Sequence, residues 1–195
     1  MRLVRTIAAV VFAAAIAITG CSTPSSLDPP SPAPPAPNPT HRTDPSPLDR
    51  QAPIYAAVLR QYLTSGDHSF GDHRFPQIFV LDHAVADGDP FGQGASGGAP
   101  IPAAVRRAIT RSLADVGPLS FVPSGEAVIV RGSCGQVRDR GILITLGPVD
   151  GVGDQVQVAI YGHVACLGAD SLAYRVERTS GGWRIAGVVW RGPVA

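Results

Sequence analysis

The sequence predicts an α+β layer fold for residues 51–195, with two helices packed on an antiparallel β-meander. Three observations carry this. The first half of the region holds two stretches with apolar residues at helical spacing. The second half alternates apolar and polar residues along two runs and returns in a third, the pattern of half-buried strands. Gly and Pro signals separate the runs.

Taken in order, Pro53 opens the first helix, because proline suits a first turn. Tyr55, Val58, Leu59 and Tyr62 fall on one face, and Gly66 stops it. Residues 77–83 form a short β-rich run, and residues 86–100 are Gly-rich and loop-like. Pro102 opens a second helix to about Val116, with Val105, Ala108, Ile109 and Leu113 as its stripe; Gly117 and Pro118 end it. Residues 119–122 and 127–131 are short strands, and residues 141–146 form a strongly apolar one. Along residues 155–164, Val156, Val158, Ile160 and Val164 alternate with Gln157, Tyr161 and His163. Residues 172–178 alternate likewise, Ser180-Gly181-Gly182 marks a tight turn, and residues 183–190 return. Trp183 and Tyr174 fill core space, and Trp190, on the opposite face from Trp183, is a candidate contact residue.

The first 21 residues read as an export signal. Arg2 and Arg5 precede twelve uncharged apolar residues, 7–18. As a helix these span roughly 18 Å, well short of the ~30 Å hydrocarbon core of a bilayer. Ile18-Thr19-Gly20-Cys21 then resembles the lipobox of bacterial lipoproteins. The resemblance implies a cleaved signal over residues 1–20, a lipidated Cys21, and a location on the extracytoplasmic face of the cell membrane. Two or three acyl chains at ~0.8 kcal/mol per CH₂ make a stable anchor. Every basic side chain is Arg and Lys is absent, a bias that resembles proteins of high-GC actinobacteria. Residues 22–50 carry ten of the nineteen prolines and too little apolar surface to offset ordering entropy, so residues 21–50 are expected to be a tether. Residues 51–195 hold 12 Arg against 12 acidic residues, with no basic run. That balance argues against nucleic acid as a partner.

The closing run Tyr174 to Gly187 (YRVERTSGGWRIAG) resembles the last hairpin of NTF2-like domains. This resemblance implies a cone-shaped sheet, NTF2-like or cystatin-like, whose concave face lines a pocket. By that analogy Gln157, Tyr161 and His163 touch a small ligand; the alternative is a solvated outer face. The domain also looks similar to a type of actinobacterial lipoprotein domain, which implies no activity.

Cys134 and Cys166 are the two cysteines left beyond the lipobox. An even pair in an exported chain favours a disulfide. A hairpin about the loop 147–154 sets Leu143 roughly opposite Val158, and extending that register brings Cys134 near Cys166. The alternative is two buried thiols. Gly94-Ala95-Ser96-Gly97-Gly98 matches the nucleophile-elbow pattern in letters only, because no strand precedes the Ser and no helix follows it directly. Asp67, His68, Asp72, His73, Asp82 and His83 lie within 17 residues. Of these His68, Asp72, His73 and His83 are metal-ligand candidates, although turn residues have the same composition. No cofactor is expected. These residues suggest a lipid-anchored domain that binds an envelope protein or a small ligand at the cell surface, without a catalytic constellation. The alternatives are an NTF2-like enzyme with a pocket His or acid as general acid/base, and a scaffold within an envelope complex.

Overall fold

The computed structural model describes residues 46–71, 74–86, 98–130, 132 and 135–192. The fold is α+β, with two α-helices and a mostly antiparallel open sheet. Helix α1 spans Pro47–Thr64 and α2 spans Ala103–Ser112. The strands are β1 Ile78–Leu81, β2 His83–Ala84, β3 Ala99–Pro100, β4 Leu119–Val122, β5 Ile129–Val130, β6 Gln136–Val137, β7 Ile142–Leu146, β8 Gln155–Ala165, β9 Gly168–Thr179 and β10 Gly182–Arg191.

Helix α1 begins six residues before Pro53, inside the stretch read as tether. Ser46 caps it by accepting a hydrogen bond from the Leu48 amide, and Pro47 follows at the first helical position. Pro53 stands inside the helix on its exposed side. Ile54, Tyr55, Val58, Leu59 and Tyr62 form the buried face. Arg50 Nη2 donates to the Gly151 carbonyl at 2.9 Å, and Tyr55 Oη donates to the Gly147 carbonyl at 3.1 Å. These two bonds tie α1 to the β7–β8 loop. Arg60 grips the turn after α2, with 2.7 and 2.8 Å bonds to Asp115 and 2.6 Å to the Ser112 carbonyl.

The main sheet has the order β10-β9-β8-β7-β1-β4. Strands β7 to β10 are the expected antiparallel meander. Strands β1 and β4 correct the rest of the expectation, because β1 pairs parallel with both β4 and β7. Their cause is the β1–α2–β4 connection. A helix between two strands carries the chain back to its starting edge, so the second strand pairs in parallel. Strand register also differs from the sequence expectation. Leu143 faces His163, five positions beyond Val158, because β8 runs further past the loop.

Both faces of β1 and β7 are covered. On one, α1 and α2 pack over Ile78, Val80, Ile142, Ile144, Leu146, Val156, Val158, Ile160, Leu172, Tyr174 and Val176. On the other, residues 125–130 and 135–140 fold over Phe79, Leu81 and Leu143, with Val128 and Val137 pointing in. Arg138 stacks on the Phe79 ring at 5.0 Å. Burial on both faces explains why β1 and β7 are apolar at every position but Thr145.

Candidate functional site

The structure separates the residues that the sequence grouped as a ligand face. Gln157, Tyr161 and His163 lie on the face away from the helices. Gln157 is exposed and Tyr161 half-buried, whereas His163 is buried at 1 % exposure beside Gly135. His163 Nε2 donates to the Gly135 carbonyl at 2.9 Å. These three residues line none of the cavities described here.

The metal candidates are also divided. His68 is buried after α1, and His83 in β2 bonds its neighbour Asp82 at 3.1 Å. Asp72 and His73 lie outside the described residues, as do Cys21, Ser96 and Cys134. Among the described residues no group of three His, Cys, Asp or Glu is arranged to hold a metal ion, and no helix is long and apolar enough to cross a membrane.

Two concavities meet at one end of the sheet, where β1 and β7 begin and β8 ends. The first is about 370 Å³ and lies under the C-terminal end of α1. Its wall includes Arg60, Thr64, His68, Arg74, Phe75 and Asp115. The second is about 640 Å³, lined by Phe70, Arg74, Phe75, Val137, Arg140 and Val164 among others. Both sizes fall within the ~300–1,000 Å³ of small-molecule sites. Arg74 and Phe75 belong to both walls.

Local chain geometry builds these walls. The α1 helix ends at Thr64, and residues 65–71 and 74–76 lie across the end of the sheet. Asp67 anchors the turn, accepting from Gln61 Nε2 and Ser65 Oγ at 2.8 Å each and from Tyr174 Oη at 3.3 Å. The buried Asp170 carboxylate holds the Ser69 amide at 2.7 Å. His68 is thereby driven into an aromatic nest, with ring centroids 5.4, 5.5 and 6.2 Å from Tyr62, Phe70 and Phe75. His68 is 7 % exposed, and its Nδ1 finds no hydrogen-bond partner. The second cavity's floor needs a glycine, because a Cβ at Gly141 would lie 2.7 Å from the Gln77 carbonyl oxygen. Two residues before β7, Asp139 and Arg140, adopt left-handed φ of 58° and 53°. Such strain is uncommon away from glycine.

The polar groups around the first cavity suit binding better than proton transfer. Asp115 is its only carboxylate among the described residues. The hydrogen bond from Arg60 holds that carboxyl down to about 2, so it stays ionised and paired at neutral pH. A general acid/base works best with a value near the working pH.

Sequence reading singled out His68 only as a metal candidate, and missed Arg74, Phe75 and Arg140 altogether. The Phe70, Phe75 and His68 spacing has no helical or strand period, so it carries no pattern signal. No family model matches the chain, and no curated protein or solved structure gives a match.

Proposed function

We propose that this chain is an exported lipoprotein, anchored to the cell membrane through Cys21, whose α+β domain binds a small ligand at the extracytoplasmic face without transforming it. One observation carries the ligand reading: two cavities share the Arg74–Phe75 wall, and a buried His68 lines one of them with Nδ1 unsatisfied. A buried polar atom without a partner costs free energy that a bound ligand or water recovers. The lipobox behind a twelve-residue apolar run supports the address. The NTF2-like or cystatin-like cone is proposed for the β7–β10 meander packed on α1, with the β1–α2–β4 crossover as an addition at its edge.

Two experiments test this. Wild type should partition into detergent, and Cys21→Ala into the aqueous phase; equal aqueous partitioning would remove the anchor. Native mass spectrometry of the mature protein released from its own membrane should show a small adduct that is lost on denaturation. The bare protein mass alone would count against the ligand.

A further inference from the structure

We infer that the ligand is an amphipathic anion, with an apolar chain or ring lodged in the larger cavity and a carboxylate, sulfonate or phosphate head between Arg74 and Arg140. The inference rests on the reading of this end of the sheet as a ligand site, and adds its chemical class.

Three features carry it. First, the walls are of two kinds. Phe70, Phe75, Pro76, Val137 and Val164 give apolar surface, while Arg74 and Arg140 are exposed arginines on the same rim. Second, charge on the rim is one-signed. No Asp or Glu lines this cavity among the described residues, and neither Arg74 nor Arg140 has a hydrogen bond or ion pair among them. Six other described arginines hold ion pairs: Arg60 with Asp115, Arg106 with Asp82, Arg138 with Asp139, Arg175 and Arg184 with Glu177, and Arg191 with Asp67; Arg107, Arg111 and Arg178 are unpaired too among the described residues, but do not line this cavity. Third, the two guanidiniums come from separate segments. Arg74 precedes β1, and Arg140 follows the left-handed Asp139. Forked guanidiniums recognise carboxylate, sulfonate and phosphate oxygens through paired N–H donors. A neutral ligand would leave that charge uncompensated, and a purely inorganic anion would leave the aromatic wall wet.

The test is calorimetric titration of the full mature chain carrying Cys21→Ala, so that no detergent competes. Decyl phosphate below its micellar concentration is the probe, with hexyl phosphate, decyl maltoside and inorganic phosphate beside it. Decyl phosphate should bind saturably at one site, and each added CH₂ from hexyl to decyl should tighten it about two- to four-fold. Arg74→Gln and Arg140→Gln should each weaken it about ten-fold, the equivalent of ~1.4 kcal/mol, with unchanged melting temperature. Competition by phosphatidylglycerol vesicles would identify a membrane lipid as the source of the head group; indifference to vesicles would identify a free single-chain amphiphile. Decyl maltoside or inorganic phosphate binding as tightly as decyl phosphate would overturn the inference, as would full affinity in both Arg variants or no saturable heat. A neutral adduct in the mass spectrum would leave the ligand site standing and remove only the anion.

Discussion

The Tyr62 hydroxyl occupies the space that a side chain at Gly162 would need. A Cβ there would collide with that oxygen and lie 3.0 Å from Tyr62 Cζ and 3.1 Å from Ile142 Cδ1. Strand β8 therefore carries glycine where α1 presses hardest on the sheet. The hydroxyl has no hydrogen-bond partner and the ring is fully buried. Burial, with the nearby Asp170 adding to it, pushes its ionisation far above the ordinary phenol range. Gly162→Ala is expected to cost ~1–3 kcal/mol by overpacking. Tyr62→Phe is expected to be neutral or stabilising, because it removes an unsatisfied buried group. Together the two should cost less than their separate effects predict, since the clash with the hydroxyl is gone and only the tight carbon contacts with Tyr62 Cζ and Ile142 Cδ1 remain. Urea unfolding of the four proteins measures this coupling, and strict additivity would show that the hydroxyl is not what Gly162 accommodates.

Acid should loosen the turn that builds the first cavity. Burial raises the Asp67 carboxyl, but hydrogen bonds from Gln61, Ser65 and Tyr174, together with the Arg191 charge, outweigh it and leave its pKa below the ordinary value. A carboxylate depressed in the folded state adds stability above its unfolded pKa of ~3.9. That contribution is lost as pH falls through the lower folded value. Melting temperature should therefore drop below about pH 4, and Asp67→Asn should flatten that drop while lowering stability at neutral pH. An unchanged acid profile in the variant would assign the linkage to other carboxylates.

The start of the domain should be sharp. Ser46 accepts from the amides of Leu48, Asp49 and Arg50 through its side chain and carbonyl, and Arg50 reaches the Gly151 carbonyl. A chain beginning at Ser46 should melt with the full mature protein. One beginning at Gln51 should lose ~0.5–2 kcal/mol, the range for a lost helix cap. Equal melting of both would show that the first turn contributes nothing.

That boundary also shows how far the sequence could be read. Pro53 looks like a first-turn proline, but Ser46-Pro47 is the true cap and start. A proline seven positions in is tolerated because the Asp49 carbonyl it leaves unbonded lies on the exposed side. The six strands of the main sheet were legible as strands, and β4 matches residue for residue, whereas β3 lies in the stretch read as loop and β6 in one given no element. Pairing direction was not. The alternating β8 and β9 announce antiparallel strands with two distinct faces, whereas β1 and β7 are apolar on both sides. Such runs report burial on both faces and not the direction of the neighbour. Of the candidate site only His68 was legible, and as a metal ligand, because Arg74, Phe75, Val137, Arg140 and Val164 converge from three segments of chain that no local period connects.

Cys134 and Cys166 are expected to be bonded to each other, on different grounds from those the hairpin offered. The expected register would have brought them together directly; the observed register, five positions away, does not. Instead His163 Nε2 holds the Gly135 carbonyl at 2.9 Å, which brings the residue after Cys134 to the end of β8. Cys166 stands in the turn between β8 and β9, three residues beyond His163, and it is not without a partner. Cys134 itself lies outside the described residues. Closing a loop of about 33 residues is worth roughly 3–4 kcal/mol in the chain-entropy model. That is a large share of the ~5–15 kcal/mol stability usual for a domain. Cys134→Ser and Cys166→Ser should each lower stability by up to that amount, and the double variant by little more, because either change opens the same loop. His163→Gln keeps a donor and should cost less than either cysteine change. Mass spectrometry of the non-reduced mature protein should find it two hydrogens lighter than its dithiol. Two alkylatable thiols per chain would sink the bridge.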